Sequence, residues 1–202
     1  MSKLIVVEGG DQRGKETQSK LIVQWLRDMG YRAERVEIPY RDAITHPLIY
    51  WFLRSGAVIK HPELFQFLHY VNRRLFQATL LRKLEQDNDF IVLDRWYMSS
   101  LVYAKMANVD MECVNAMCIR LRKPDATIVL YGQQFNARAD DVYESNLEFQ
   151  CKVNAEYCRL AVENGVDDAH YYRVCCNNTR EHVHQCVKNA LSTCPFLLHG
   201  VS

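Results

Sequence analysis

Gly9-Gly10-Asp11-Gln12-Arg13-Gly14-Lys15-Glu16-Thr17 follows the apolar run Lys3-Leu4-Ile5-Val6-Val7-Glu8. A buried strand leading into G-x-x-x-x-G-K and then a helix is a phosphate-binding loop. Its glycines let backbone N–H groups turn towards a polyphosphate, and the helix N-terminus adds positive potential. Lys15 is placed to reach the β- and γ-phosphates. The residue after that lysine is ordinarily Ser or Thr, whose hydroxyl ligates Mg²⁺. Here it is Glu16. The stretch Gly9, Gly10, Asp11, Gln12, Arg13, Gly14, Lys15, Glu16 and Thr17 is therefore expected to bind a nucleoside triphosphate, with the metal's coordination left open.

Working outward, strand and helix patterns alternate to the end of the chain. Short β-rich runs predict strands at Leu4–Glu8, Ala33–Ile38, Phe90–Leu93, Thr127–Tyr131 and Tyr171–Cys175. Helical patterns lie at Lys15–Met29, Ala43–Arg54, Pro62–Gln86, Ser99–Lys105, Met111–Leu121, Tyr143–Asn164 and Thr179–Ser192. Alternation of this kind predicts an α/β fold: a five-stranded parallel sheet with helices on both faces. The 202 residues read as a single domain, 1–202, with 195–202 as a C-terminal tail.

The formal net charge is +1, so global charge argues for no nucleic-acid and no membrane partner. Met1-Ser2-Lys3 leads directly into a strand with no signal-peptide pattern, and no apolar run is long enough to span a bilayer. A cytoplasmic, reducing setting is expected. The eight cysteines all lie at or after Cys113 without paired metal-ligand spacing, so they read as reduced thiols.

Ligands of open α/β sheets sit outside the carboxyl ends of the strands. The residues found there are Pro39-Tyr40-Arg41 after the second strand, Asp94-Arg95-Trp96 after the third and Gln133 to Asp141 after the fourth. In a phosphate-loop protein a carboxylate at the place of Asp94 holds Mg²⁺, directly or through water. An arginine beside it can grip a phosphate in a bidentate contact.

Taken together, these residues resemble the thymidylate kinases, nearest to the branch of eukaryotes and large DNA viruses. Glu8-Gly9-Gly10-Asp11 is similar to that family's E-G-x-D, and Ile38-Pro39-Tyr40-Arg41 to its F-P-x-R. Asn72-Arg73 resembles A-N-R, and Asp94-Arg95-Trp96-Tyr97-Met98-Ser99 resembles D-R-Y-x-x-S. Lys123-Pro124-Asp125, and Tyr143-Glu144 with Phe149-Gln150, complete the ordered series. The resemblance implies a P-loop nucleoside monophosphate kinase fold with a short lid at about 132–142. It also implies a homodimer, and transfer of the γ-phosphate of ATP to dTMP with Mg²⁺ as cofactor.

Carried over residue by residue, the resemblance implies that Lys15 and the loop amides hold ATP. Asp11 would contact the acceptor's sugar, and Arg41 and Arg95 its 5′-phosphate. Arg73 would bond a pyrimidine carbonyl, Tyr103 would favour a deoxyribose, and Ser99 and Tyr143 complete the acceptor site. Asp94 would organise the metal, with Glu16 a second candidate ligand. Arg13 and the lid residue Arg138 would meet the transferring phosphoryl group.

The chain departs from the family pattern at Glu16 and at Arg13, which stands one place later than in many relatives. It departs again in the short lid, at Ile38, and at His69, which stands where the family stacks a Phe on the base; either the imidazole stacks there or Phe67 or Tyr70 fills the site instead. These departures keep two alternatives open. One is a kinase for another pyrimidine deoxynucleotide, dUMP or a 5-substituted dUMP; the other is a nucleotide-binding protein with weakened catalysis.

Overall fold

The computed structural model describes residues 2–133, 146–167 and 170–198. Five strands form one sheet: β1 (Lys3–Gly9), β2 (Ala33–Glu37), β3 (Phe90–Asp94), β4 (Ala126–Tyr131) and β5 (Tyr171–Cys175). All neighbours pair in parallel, in the order β2-β3-β1-β4-β5. β1 lies at the centre with Val7 in register with Asp94 of β3, so the loops leaving β1 and β3 open level with each other into one crevice.

The helices are α1 (Lys15–Asp28), α2 (His46–Ser55), α3 (Ala57–Lys60), α4 (Pro62–Phe76) and α5 (Arg82–Asp87). They continue as α6 (Tyr97–Met106), α7 (Met111–Cys118), α8 (Leu147–Asp167), α9 (Arg180–Leu191) and α10 (Pro195–Leu198). The period-2 alternation of a strand decides which side chains meet which layer. Ile5 and Val7 of β1 face α1 and α9, packing with Ile22, Leu26, Val183 and Val187. Leu4 and Val6 face the opposite side, with Phe76, Leu81 and Trp96. Both faces are covered, which is why the central strands read as unbroken apolar runs.

The expected helix over 62–86 is α4 and α5 joined by a π turn at Gln77–Leu81. The second helix starts at His46 rather than Ala43, with Thr45 as its N-cap, whose hydroxyl accepts from Asn72 Nδ2 at 3.2 Å. Part of the expected C-terminal tail is helix α10, with Leu197 buried against the α1 side of the core. No helix among the described residues is long and apolar enough to cross a membrane.

Candidate active site

The phosphate loop is shaped by backbone that few residues tolerate. Gly9 has φ +142°, and a Cβ there would lie 2.4 Å from the carbonyl oxygen of Leu130. Gly14 has φ +77° and opens α1. Lys15 turns back over this loop and donates through Nζ to the carbonyl of Gly10 at 2.6 Å. Burial, then the nearby Arg95, pulls the Lys15 ammonium down to about 8, although Asp11, Asp94 and Glu8 oppose the shift. Phosphate charge entering the loop would restore its full cationic character.

Asp11 joins three elements. Arg95 forms an ion pair with its Oδ1. Tyr103 donates to Oδ2 at 2.7 Å and Gln150 Nε2 to the same oxygen at 3.1 Å. Burial pushes the Asp11 carboxyl up, but Arg95, Lys15 and these donors outweigh it and hold the group well below the usual carboxylate range. Arg95 itself has φ +71°, with its N–H bonded to Val7 at 2.9 Å. This turn points the guanidinium into the crevice instead of along the strand.

Glu8 is the residue that sequence reasoning missed. It is fully buried and accepts the N–H of Trp96 at 2.7 Å, the N–H of Ser99 at 3.3 Å and the hydroxyl of Ser99 at 2.7 Å. Those amides are the open first turn of α6, whose own N-cap Trp96 supplies no capping side chain. A carboxylate from β1 therefore caps a helix that begins far along the chain. Burial raises the Glu8 pKa, against the hydrogen bond from Ser99 and the charge of Arg95. Its sequence signal was a charge at the end of an apolar strand.

A cleft of about 1290 Å³ joins these groups. That exceeds the ~300–1,000 Å³ of a single small-ligand pocket. The phosphate loop and α1 contribute Gln12 to Gln18 to its lining, with Asn178, Arg180 and Val183 at and before α9; Pro39, Tyr50 of α2 and Gln66, His69 and Arg73 of α4 line it too, as do Asp94 and Arg95 at the end of β3 and Ser99 and Tyr103 of α6. Ser99 spends its hydroxyl on Glu8, while Ser100 receives Arg73 Nη1 at 2.8 Å. Arg13 donates through Nε to the carbonyl of Gly132 at 3.1 Å, tying the loop to the end of β4.

Two expected residues stand elsewhere than the resemblance implied. Arg41 is not among the cleft-lining residues: its side chain is 74% exposed and paired with Glu37 at 3.2 Å. Arg54 of α2, unremarked in the sequence, lines the cleft. Glu16 lines the rim with its side chain 65% exposed, and its carboxylate is taken by Lys20 one helical turn on, at 2.6 Å. Asp94 is buried and its Oδ2 receives Arg35 Nη2 at 2.7 Å. Asn72 holds the loop after β2 through both hydrogen bonds of the Tyr40 backbone, at 2.6 and 3.0 Å. Arg138 and Tyr143, and most of the expected lid, lie outside the described residues.

Comparison with known proteins agrees with this geometry. Residues 7–187 match the family model for thymidylate kinase. A putative thymidylate kinase of Invertebrate iridescent virus 6 is 28% identical over 161 residues, covering 78% of this chain and 75% of that protein. A thymidylate kinase of Leifsonia xyli is 28% identical over 180 residues, covering 79% and 81%. The solved thymidylate kinase of Candida albicans superposes with a TM-score of 0.79 at 21% identity, over 95% of this chain and 92% of that one, a likeness of fold. With a phosphate loop, a cleft lined by that loop and by α4, and Asp94-Arg95 at the end of β3, the chain belongs to the thymidylate kinase family of ATP-dependent enzymes.

Proposed function

We propose that the cleft transfers the γ-phosphate of ATP to dTMP, giving dTDP and ADP, with the triphosphate over Lys15 and the acceptor between Arg95 and α4. The observation that supports the division is the Asp11–Arg95 ion pair, in a cleft that Lys15 of the phosphate loop and Arg73 of α4 both line. Phosphoryl transfer asks for in-line placement and positive charge around the moving group, not covalent help. Arg95 takes the acceptor's 5′-phosphate, and Asp11 with Tyr103 lies against its sugar. Arg41 joins them only by releasing Glu37.

Asp94 fits Mg²⁺. It is a carboxylate at the foot of the phosphate loop, with Oδ2 fixed by Arg35 and Oδ1 making no protein hydrogen bond among the described residues. Mg²⁺ prefers one or two carboxylates plus substrate phosphates and waters. When held there, it would supply positive charge against the negative charge of the phosphates. Glu16, engaged by Lys20, is the lesser candidate ligand.

The protein is a homodimer in this reading. α2 and α4 pack together through Ile49, Phe52, Phe65 and Leu68. Their outer faces expose Leu48, Trp51, Leu64 and Phe67, an apolar surface of the sort that marks an interface.

Calorimetric titration tests the assignment of the two halves. Arg95→Ala is expected to lose dTMP binding and retain ATP binding, whereas loss of both or of neither contradicts it.

A further inference from the structure

Helix α4 brings three polar side chains to the cleft, Gln66, His69 and Arg73, and the last two stand four residues apart. At this separation they lie one above the other on the same helix face. The imidazole of His69 packs edge-on against Phe65, with ring centroids 4.6 Å apart. Its Nδ1 is shut inside the protein with no hydrogen-bond partner. Nε2 is then the nitrogen that a ligand can meet. A sealed N–H without an acceptor costs more than a sealed lone pair, so the ring proton sits on Nε2. Burial, and then the neighbouring Arg73, keep the imidazole neutral by holding its pKa well below the ordinary value. Arg73 is anchored by Ser100, and its Nε is also buried without a partner. Two donors thus stand side by side, each with unused capacity.

We propose that His69, donating through Nε2–H, is a specificity-determining residue that reads a carbonyl oxygen of the acceptor base together with Arg73. The pair selects pyrimidines with a carbonyl at C4, thymine and uracil, against cytosine with its amino group there. The inference rests on the acceptor half assigned under the proposed function. An amino group at C4 would face two donors. To accept from it, the imidazole would have to move its proton to Nδ1, where the N–H has nothing to bond. A site built to hydrogen-bond one group rejects an analogue that leaves its buried polar atoms unpaired.

The test is the steady-state kinetics of wild type, His69→Phe and His69→Gln with dTMP, dUMP and dCMP. Phe keeps a flat ring and removes the donor; Gln keeps a donor. The expected result for His69→Phe is a KM for dTMP raised about tenfold, ~1.4 kcal/mol, an unchanged KM for ATP, and a narrower preference for dTMP over dCMP. His69→Gln is expected to restore the KM for dTMP. If His69→Phe retains both the wild-type KM and the wild-type preference, His69 only packs and the inference is overturned. Should His69→Phe fail to fold, His69→Met fills the space without a donor and is held to the same two outcomes. Absence of dTMP turnover in the wild type would instead overturn the function on which the inference rests.

Discussion

The guanidinium of Arg35 reaches from the edge strand β2 to the carboxylate of Asp94, Nη2 to Oδ2 at 2.7 Å, while its Nε donates to Ser19 of α1, also at 2.7 Å. One arginine thus fixes the acid at the end of β3 and ties it to the helix that follows the phosphate loop. Removing one partner of a buried pair strands the other charge, at a cost of about 3–5 kcal/mol. Asp94 opens to the cleft, so Arg35→Leu is expected near the lower end, about 3 kcal/mol, measured by urea unfolding. Mg²⁺ added without nucleotide should then raise the melting temperature of the variant more than that of wild type, because a carboxylate oxygen has been freed. Equal shifts would count against a metal at Asp94.

Glu8→Gln alters the cap of α6 with little change in size. The amide keeps one acceptor but turns an NH₂ group towards donors that Glu8 now satisfies, leaving a buried polar group unpaired at about 1–3 kcal/mol. Because Trp96 and Ser99 flank the turn that aims Arg95, the KM for dTMP should rise about tenfold with the KM for ATP little changed, as ~1.4 kcal/mol of misplacement predicts. A variant with wild-type stability and KM would show that the cap does not position Arg95.

Lys15→Met separates stability from activity. The folded value of about 8 lies below the ordinary 10.5, so the folded chain binds fewer protons than the unfolded chain between those values. The cost of the buried charge is full below pH 8 and fades as the pH rises towards 10.5. The variant should therefore melt above wild type at pH 7, with the gap closing by pH 10, while turnover falls by about 10²–10³ or more. ATP affinity of the wild type should weaken above pH 8 as Lys15 loses its proton. A pH-independent affinity would place Lys15 away from the phosphates.

Trp51, 56% exposed on α2, lies near the middle of the apolar outer face. Trp51→Glu buries a charge if that face is covered by a second copy. Sedimentation velocity should show wild-type dimer and variant monomer. A wild type that sediments as a monomer would contradict the homodimer.

The phosphate loop and the sheet were legible because their signals are local. A strand of alternating contacts, two glycines with φ that other residues avoid, and a lysine at fixed spacing determine the geometry around Lys15 without reference to the rest of the chain. Asp94 and Arg95 were legible for a similar reason, since the end of a parallel strand is where such a sheet binds its ligands. The role of Glu8 was not, because its partners Trp96 and Ser99 come from a distant helix and nothing in the spacing announces a cap. Arg35 reads as an ordinary charge on an edge strand until β2 is placed beside β3. Arg41 and Glu16 were read from position alone. Each has a carboxylate or ammonium one helical turn or loop away, in Glu37 and Lys20, and those local pairs decide where the side chains point.

The most direct measurement is the product balance when the purified chain meets ATP, Mg²⁺ and dTMP, resolved by chromatography. Transfer across the cleft predicts dTDP and ADP in equal amounts, with both lost in Lys15→Met and in Arg95→Ala. ADP without dTDP, or nucleotide binding with no products, would contradict it.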